Sequence, residues 1–382
     1  MRIAIVSLMG GALWGGSENL WYELAKLSLK KGDELLVSVY EWDTIHPKIN
    51  LLKNEGATIF FRKRLIGNVK FPQRIIRFLK NRKFATERDY KNILEFKPDT
   101  IFISQGSDFD FATQHKVLYN LIRERKIPYS FICHSHSQFS FIPLNNIYPE
   151  AVKVFTNAEH VFFISKRQQK LTERKLVTRL TNGLFTWNPL NLVAPSKPLQ
   201  WPEENKIYMA IVGELDGSKG QDTALEVLSQ LQWQNRKWQL NIYGKGRGEA
   251  YLKKLALHYK IDDRVVFKGY ENDILNIWLN NHILLVPSAW DGMPISLIEA
   301  LICGRPAVVT DIGGMVEIVH EGENGFVAAS PTVQTYSDAL ERAWLKKTEW
   351  QQMGFNAYGL IKNIIDLQPE KAIYKMIVKN SF

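Results

Sequence analysis

Two periodicities alternate along the whole chain. Short runs of apolar and β-branched residues predict strands, and longer stretches with apolar residues at every third or fourth position predict amphipathic helices. Their alternation predicts parallel sheets with crossover helices. The strands fall in two sets, each suited to one doubly wound sheet: 2–8, 34–40, 57–61, 100–104, 129–133 and 160–164, then 207–212, 238–243, 265–268, 282–286 and 306–310.

A proline-rich segment without periodicity separates the two sets. Residues 188–205, NPLNLVAPSKPLQWPEEN, predict an interdomain linker. We therefore expect a first domain at 1–187 and a second at 206–364, with a C-terminal helix at about 365–382 joining the first domain. Doubly wound sheets bind ligands at the carboxyl ends of their strands, so a cleft between the domains is the expected active site.

Composition excludes several classes of protein. The 382 residues are 45% apolar and 23% charged, as in a soluble chain with a sizeable core rather than a disordered or collagen-like one. The two cysteines, Cys133 and Cys303, form no disulfide framework or zinc motif, which favours a cytoplasmic location. No uncharged apolar run is long enough to span a bilayer. Any membrane contact is therefore expected to be peripheral. The first residues lack a signal-peptide cleavage site, which favours the inner face of the membrane.

Positive charge is concentrated in the first half of the chain. Residues 1–200 contain 30 basic and 17 acidic residues, whereas residues 201–382 contain 19 and 22. The densest stretch, 62–91, has eleven basic and two acidic residues. It predicts either a solvated helix face or a patch for an anionic membrane or acceptor. No nucleic-acid-binding motif accompanies it. The candidate contact residues are Arg62, Lys63, Arg64, Arg74, Arg77 and Lys80.

Glycine-rich loops follow the first strand of each set. After 2–8 comes GGALWGGSENLWYELAKL, in which backbone amides and a helix N-terminus could approach a phosphate or a sugar. A tight turn without a ligand explains such a loop equally simply. After 207–212 comes GELDGSKGQD, where Lys219 could neutralise a phosphate or be a solvated surface residue.

The segment 285–327, LVPSAWDGMPISLIEALICGRPAVVTDIGGMVEIVHEGENGFV, is the most informative. Asp291 lies in a strand-to-helix loop, and Glu299 follows eight residues later in a helix beginning near Ile295. The amides of Gly292 and Met293 suit anionic or hydroxyl-rich groups. A carboxylate such as Glu299 can accept hydrogen bonds from a ribose diol. Helix capping and surface charge are the alternative explanation.

This segment resembles the E-x7-E segment of the family 4 retaining glycosyltransferases, which have the GT-B fold of two Rossmann-like domains facing across a cleft. Further matching stretches occur in the family's order, dense in the second domain and sparse in the first. They are GGSENLWYELAKLSLKKGDELLV, VGELDGSKGQDTALEVL, YGKGRGEAYLKKLA and VVFKGYENDILNIWLNNHILLVPS.

The resemblance implies specific roles for residues of both domains. Glu299 would bind the nucleotide ribose, Asp291 the donor-sugar hydroxyls, and Lys219 the diphosphate. Tyr270 lies where family members hold the base, and His134 lies where a histidine contacts the donor sugar. Backbone amides near the sugar and diphosphate would come from Gly15, Gly16, Gly213, Gly292, Met293 and Ile295.

Two positions depart from the family pattern. Asp291 replaces a glutamate, which shortens the side chain by one methylene group. Glu214 replaces a basic residue of the family, so one of two expected diphosphate cations is missing. An acidic side chain facing a diphosphate would oppose donor binding unless it turns away or meets a basic partner.

Two further motifs suggest metal sites. His134 and His136 could bind a metal, but no acidic residue or cysteine joins them locally; polar loop residues are the alternative. Asp108 and Asp110 spell D-x-D, a manganese–nucleotide signature of another glycosyltransferase fold. The alternative is the start of a helix through residues 111–120. We expect neither a metal nor another cofactor.

The resemblance predicts a retaining glycosyltransferase, of the hexosyltransferase type, that acts in glycan or polysaccharide biosynthesis. Its donor would be a nucleotide sugar, UDP- or GDP-linked, and its acceptor a glycan or a lipid-linked molecule. An epimerase or a phosphorylase of the same fold is the alternative among enzymes. A catalytically inactive nucleotide-sugar-binding protein is the alternative outside them.

Overall fold

The computed structural model describes residues 1–63, 86–106, 109–134, 148–203 and 206–379. The chain forms two compact units. The first comprises residues 1–189 and 366–382, and the second comprises Leu190–Ile365.

The first unit contains a parallel sheet of seven strands in the order β3-β2-β1-β4-β5-β6-β7. The order reverses between β1 and β4. The strands are β1 (Arg2–Ser7), β2 (Glu34–Tyr40), β3 (Thr58–Arg62), β4 (Thr100–Gln105), β5 (Tyr129–Cys133), β6 (His160–Phe163) and β7 (Gly183–Phe185).

The central strands of this sheet are mainly apolar and almost entirely buried because both faces of the sheet are covered. In β1, Ile3, Ala4, Ile5 and Val6 are all fully buried. The α-helices described between the strands are α1 (Glu18–Lys30), α2 (Pro47–Asn54), α3 (Lys91–Glu95), α4 (Asp110–Thr113), α5 (Lys116–Glu124), α6 (Tyr148–Thr156) and α7 (Lys166–Leu176).

The second unit contains a parallel sheet of six strands in the order β10-β9-β8-β11-β12-β13. Here the order reverses between β8 and β11. The strands are β8 (Ile207–Val212), β9 (Trp238–Tyr243), β10 (Val265–Gly269), β11 (Ile283–Val286), β12 (Ala307–Thr310) and β13 (Gly325–Ala328). The α-helices are α8 (Gln221–Leu228), α9 (Glu249–His258), α10 (Ile274–Leu279), α11 (Ile295–Ile302), α12 (Val333–Leu345) and α13 (Trp350–Ile364).

The last helix, α14 (Pro369–Lys379), belongs to the first unit. It buries Ile373 and Ile377 and contacts α1. The Tyr374 hydroxyl donates to Asp33 Oδ2 at 2.8 Å, and the amino group of Met1 donates to Asp33 Oδ1 at 2.9 Å. Asp33 therefore links the two ends of the chain within one unit.

Residues 190–203 of the proline-rich segment predicted as a linker belong to the second unit. The Leu199 amide donates to the Cys303 carbonyl at 3.1 Å, and the Tyr358 hydroxyl donates to the Ser196 carbonyl at 2.5 Å. The buried Arg305 guanidinium donates to the Leu199 and Gln200 carbonyls at 3.4 and 2.5 Å. These bonds hold a stretch without regular secondary structure in one place.

The two doubly wound parallel sheets confirm the predicted α/β class. Each predicted strand is found, with no end shifted by more than one residue. The short strands β7 and β13 were not predicted. The single helix expected through residues 111–120 is instead two helices, α4 and α5, separated at Gln114–His115.

Candidate functional site

The reversal of strand order in the second unit brings two loops together. Loop 213–220 follows β8, and loop 287–294 follows β11, its neighbour in the sheet. The Ala289 amide donates to the Ser218 carbonyl at 3.0 Å. Gly220 has a φ of +69°, and a Cβ there would lie 2.1 Å from the Pro287 carbonyl oxygen. Only glycine permits this approach, which creates the crevice where doubly wound sheets bind ligands.

Lys219 and Asp291 meet across these two loops. Lys219 Nζ lies 2.5 Å from Asp291 Oδ2, with the side chains 29% and 11% exposed. Burial alone would lower the pKa of Lys219, but the charge and hydrogen bond of Asp291 outweigh burial and raise that pKa. The lysine is therefore a full cation at neutral pH. The structure thus pairs two residues that the sequence assigned to one site.

A third loop fixes the backbone around Asp291. The Gly314 amide donates to the Gly292 carbonyl at 2.6 Å, and the Thr310 hydroxyl donates to the Ser288 carbonyl at 2.7 Å. Gly313 has a φ of +57°, and a Cβ there would lie 2.1 Å from the Gly292 oxygen. The Gly292 amide donates to Asp291 Oδ1 at 3.0 Å, so the carboxylate is held from both sides.

Helix α11 begins directly after this loop. Pro294 is its N-cap and Ile295 its first residue, as predicted, while the Met293 side chain is buried. The first amides of a helix have no partner within the helix, so they can donate to a ligand. The Ser296 hydroxyl donates to the Val212 carbonyl at 3.2 Å, which fixes the helix start against the end of β8.

Glu299 lies further along α11 and is only 2% exposed. Its Oε1 accepts hydrogen bonds from the Asn191 amide at 3.0 Å and from Asn191 Nδ2 at 3.1 Å. Burial raises the pKa of Glu299, and the two bonds from Asn191 partly oppose that shift. Sequence reasoning missed Asn191, because it lies in the proline-rich segment and belongs to no recognisable motif.

The surroundings of Lys219 are acidic. Glu214 and Asp216 are exposed on the same loop, and their charges add to that of Asp291 in raising the pKa of Lys219. The Glu214 carbonyl accepts a bond from Gln221 Nε2 at 2.9 Å. One cation therefore lies within the field of three carboxylates.

The remaining candidates of the second unit lie at the same edge of its sheet. Gly213 follows β8, and its carbonyl oxygen would lie 1.9 Å from a Cβ at Gly244, so the loop after β9 packs closely on it. Tyr270 follows β10, and its side chain is 68% exposed. Gly213 also lies next to the Lys219 side chain. Tyr270, in contrast, lies two strands away from β8.

In the first unit, Gly15 and Gly16 lead into α1. Their carbonyl groups accept bonds from the Glu18 and Asn19 amides at 3.0 and 3.3 Å. The loop follows β1, which is next to β4 where the strand order reverses. These glycines therefore lie at the ligand-binding edge of the first sheet.

His134 comes directly after β5 and is 8% exposed. Neither ring nitrogen has a hydrogen-bond partner in the described part of the chain. Burial lowers the pKa of His134 to about 3, so the imidazole is neutral at pH 7. A neutral imidazole can donate and accept a hydrogen bond at once. His136 lies outside the described residues.

One member of the predicted basic patch, Arg62, is buried, which corrects the expectation that it contacts a membrane or an acceptor at the surface. Its side chain is 2% exposed, and Nη2 donates to the Ser7 carbonyl. The guanidinium lies over the rings of Tyr40 and Tyr90, 4.6 and 5.7 Å from their centroids. Arg62 was expected at the surface because it opens a run of basic residues, but it completes β3 and turns inward. Lys63 is exposed, and Arg64, Arg74, Arg77 and Lys80 lie outside the described residues.

Each of the two possible metal motifs has one residue outside the described part of the chain. Asp108 lies outside the described residues, and Asp110 is the first residue of α4. Among the described residues no three histidine, cysteine or acidic side chains are grouped as a metal would require. No helix within the described ranges is long and apolar enough to cross a bilayer.

Sequence comparison relates the chain to known proteins. Residues 196–359 match the family model "Glycosyl transferases group 1". An uncharacterized glycosyltransferase of Haemophilus influenzae is 24% identical over 360 residues, which are 92% of this chain and 94% of that protein. The putative colanic acid biosynthesis glycosyltransferase WcaL of Escherichia coli is 27% identical over 212 residues, which are 52% of this chain and 50% of that protein.

Structural comparison relates the whole chain to one fold. The crystal structure of Anabaena Alr3699/HepE in complex with UDP has a TM-score of 0.74 at 17% identity, covering 99% of this chain and 100% of that one. The fold is GT-B, with two Rossmann-like domains, which confirms the predicted fold class. Together, the family match and the relatives support a glycosyltransferase of the group 1 type.

Proposed function

We propose that the chain is a retaining glycosyltransferase that transfers a sugar from a nucleotide diphosphate to an acceptor hydroxyl. The observation that carries the proposal is the Lys219–Asp291 pair at the strand-order reversal, next to the start of α11. Both residues lie within the part of the chain that matches the family model. A cation, helix-start amides and a carboxylate are the groups needed to hold a diphosphate and a sugar together.

Each group has a distinct part in this proposal. Lys219 binds the diphosphate, and the amides of Gly213, Gly292, Met293 and Ile295 add partial positive charge. Glu299 accepts hydrogen bonds from the ribose, for which it shares Oε1 with Asn191 or uses Oε2. Asp291 binds hydroxyl groups of the donor sugar, and the exposed Tyr270 ring stacks on the base.

The first unit contributes groups from its own ligand-binding edge. Gly15 and Gly16 allow the backbone to approach the diphosphate. His134, neutral and without a partner among the described residues, hydrogen-bonds the donor sugar.

The proposed mechanism depends on stabilising the negative charge of the leaving diphosphate. Negative charge develops on it as the glycosidic bond breaks, and Lys219 with the helix-start amides stabilises that charge. We favour attack by the acceptor hydroxyl on the face that the diphosphate leaves, with retention of configuration. The bond from the anomeric carbon to the acceptor oxygen forms as the bond from that carbon to the diphosphate oxygen breaks, and the hydroxyl proton passes to the departing diphosphate oxygen. No metal ion takes part in this proposal, because protein groups meet the diphosphate charge.

The donor and the acceptor are inferred from related proteins. Alr3699/HepE was crystallised with UDP and with UDP-glucose, which favours a uridine nucleotide sugar over a GDP-sugar. WcaL is named as a putative colanic acid biosynthesis glycosyltransferase, which favours a glycan acceptor. The proposed location is the cytoplasm, with peripheral contact at the inner face of the membrane.

A binding and turnover experiment tests this function. UDP binding is measured by calorimetry, and UDP release from UDP-glucose is measured without added acceptor. We expect Lys219→Met to weaken UDP binding about tenfold or more, because it removes a charge-assisted contact but keeps the aliphatic stem. Lys237→Met is the matched control, since Lys237 is exposed and precedes β9 at the opposite edge of the sheet. Equal UDP affinity of both variants would contradict the assignment of Lys219.

A further inference from the structure

Asn191 lies at the start of the second unit, which begins at Leu190. It belongs to the proline-rich segment and is exposed, although it contacts a buried group. Its backbone amide and its Nδ2 both donate to Oε1 of Glu299, at 3.0 and 3.1 Å. Two donors of one exposed residue therefore meet a single buried carboxylate oxygen.

This contact imitates the one proposed for the nucleotide. A ribose presents two adjacent hydroxyl groups, and each can donate a hydrogen bond to a carboxylate. Asn191 presents two adjacent N–H groups to the same carboxylate of Glu299. The residue and the ribose are therefore competitors for one acceptor.

The burial of Glu299 decides between sharing and displacement. Glu299 is only 2% exposed, so a ribose cannot bring both hydroxyl groups to its carboxylate while the residues that cover it stay in place. Its neighbours on α11, Ile298 and Ala300, are fully buried in the core. Asn191 is exposed and follows no regular secondary structure, so it is the part of this cover that can leave. Displacement therefore explains the ribose contact better than a carboxylate shared with Asn191.

The charge of Glu299 requires that one set of donors replaces the other. Burial raises the pKa of Glu299, and the amide and side chain of Asn191 oppose that shift. A buried carboxylate without hydrogen-bond donors is costly. Asn191 therefore leaves only when other donors take its place, and the ribose hydroxyl groups are such donors.

The stretch of residues 190–194 can shift while the chain on either side stays fixed. Before it, the Thr186 amide donates to the Phe163 carbonyl at 2.8 Å. After it, the Tyr358 hydroxyl donates to the Ser196 carbonyl at 2.5 Å. Among the described residues, no backbone–backbone hydrogen bond involves residues 192–194. These three residues therefore offer little resistance to a shift of Asn191.

We propose that Asn191 competes with the nucleotide: the ribose hydroxyl groups displace both of its donors from Glu299, and residues 190–194 shift away. The inference rests on the proposed function and adds a control on its nucleotide affinity. UDP carries the same ribose as the donor, so Asn191 also competes with the UDP that remains after transfer and favours its release.

UDP binding to Asn191→Ala, measured by calorimetry, tests the competition. The variant keeps the backbone amide but loses the Nδ2 donor. We expect UDP to bind about tenfold more tightly than to the wild-type protein, because the ribose displaces one hydrogen bond to a charged group fewer. A purely structural role of Asn191 predicts the opposite sign, since Glu299 would be held less firmly. Weaker or unchanged UDP binding would overturn the proposal.

Ser196→Ala is the matched control. Ser196 is exposed in the same proline-rich segment, and it accepts the bond from Tyr358 through its backbone carbonyl, which the substitution keeps. UDP affinity should equal that of the wild-type protein. An equal gain in both variants would show that any loosening of the segment raises the affinity, which contradicts a specific competition by Asn191.

Hydrogen–deuterium exchange tests the displacement in the wild-type protein itself. Ligand binding ordinarily slows exchange. Here UDP should speed exchange in residues 190–194, because the Asn191 amide loses its acceptor. The Leu199 amide, which donates to the Cys303 carbonyl at 3.1 Å, should exchange at an unchanged rate. Slower or unchanged exchange in residues 190–194 would overturn the proposal, and this result decides even if Asn191→Ala fails to fold.

The same samples separate this inference from the proposed function. If UDP binds the wild-type protein but neither speeds exchange in residues 190–194 nor binds Asn191→Ala more tightly, the competition is overturned and the nucleotide site stands. If UDP does not bind the wild-type protein at all, the proposed function itself fails, and the competition fails with it.

Discussion

The proposed function assigns Asp291 to turnover rather than to holding the nucleotide. Its contact with Lys219 at 2.5 Å competes with a diphosphate for the same cation. We predict that Asp291→Asn leaves UDP affinity unchanged or raises it, because Lys219 is released. Turnover of UDP-glucose should fall tenfold or more, since a charged hydrogen bond of about 1.5–3 kcal/mol to the sugar is lost.

Asp216→Asn is the control for this prediction. Asp216 also lies in the field of Lys219, but its carboxylate accepts bonds from Ser218, at 2.9 Å from the amide and 2.7 Å from the hydroxyl. Turnover should change little. A parallel loss of UDP affinity and turnover in Asp291→Asn would assign Asp291 a structural role.

Glu299 offers a second test at the residue scale. Glu299→Gln keeps the shape and an oxygen for the two bonds from Asn191, but it removes the charge. We predict about tenfold or greater weakening of UDP binding with little change in thermal stability, since a charged acceptor for the ribose is lost. Asn191→Ala is the comparison: it should cost stability because it removes partners of a buried carboxylate. Unchanged UDP affinity in Glu299→Gln would exclude the ribose contact.

The raised pKa of Glu18 predicts that the stability of the fold depends on pH. Burial raises its pKa from 4.5 to about 7, so between these values the folded protein binds more protons than the unfolded chain. The free energy of unfolding therefore falls as pH rises through this range, by up to about 3 kcal/mol at 1.36 kcal/mol per pKa unit. Urea unfolding of wild type and Glu18→Gln at pH 5 and pH 8 isolates this contribution. The variant's stability relative to wild type should rise with pH; a difference that does not change between pH 5 and pH 8 would contradict the raised pKa of Glu18.

At the scale of elements, Arg305 joins the proline-rich segment to the core of the second unit. The fully buried guanidinium donates to the backbone carbonyls of Leu199, Gln200, Trp278, Asn281, Cys303 and Gly304. Burial lowers the pKa of Arg305 to about 10, so it remains charged at neutral pH. Its bonds connect the end of α10, the end of α11 and residues 199–200.

We predict that Arg305→Met destabilises the protein by about 3 kcal/mol or more, because several buried carbonyl groups lose their donor at once. Urea unfolding measures the loss. Arg342→Met is the control: Arg342 pairs with Glu321 at 2.7 Å with both side chains nearly half exposed, and such exposed pairs contribute about 1 kcal/mol or less. Similar losses in the two variants would show that the bonds of Arg305 add little.

The elements also show what the sequence can and cannot predict. Long apolar strands between helices were predicted because they are buried on both faces of a sheet. β7 (GLF) and β13 (GFVA) are short edge strands that begin with glycine and contain at most one β-branched residue, so neither shows the β-branched run that marks most of the predicted strands. The break between α4 and α5 has a tertiary cause. His115 at the break bonds the Tyr40 and Tyr90 hydroxyl groups, a contact that no local pattern reveals.

In the candidate site, too, local sequence patterns could be predicted, whereas contacts between distant parts of the chain could not. Lys219 and Asp291 could be predicted because each lies in a loop after a strand and the strand order brings those loops together. Asn191 could not be predicted, since its contact with Glu299 joins residues far apart in the chain. The burial of Arg62 could not be predicted either, because a basic run gives no sign of which member turns inward.

At the scale of the whole molecule, charge is divided unequally between the two halves of the chain. Residues 1–200 have a net charge of +13 and residues 201–382 a net charge of −3. Arg62 does not contribute at the surface, which leaves ten basic residues in 63–91. Each basic residue near an anionic membrane contributes about 1 kcal/mol, so four or five would suffice for reversible binding. A solvated face remains the alternative for this stretch.

We predict that the protein binds vesicles containing phosphatidylserine but not vesicles of phosphatidylcholine alone. Binding should weaken from 0.1 M to 1 M salt as the screening length falls from about 10 Å to about 3 Å. Changing Lys63, Arg64, Arg74, Arg77 and Lys80 to Gln should abolish it. The matched control changes five exposed lysines of the second unit, Lys237, Lys254, Lys260, Lys268 and Lys347, and should still bind. If co-sedimentation finds no wild-type protein with anionic vesicles, the basic stretch is a solvated face; if both variants lose binding equally, net charge alone is responsible.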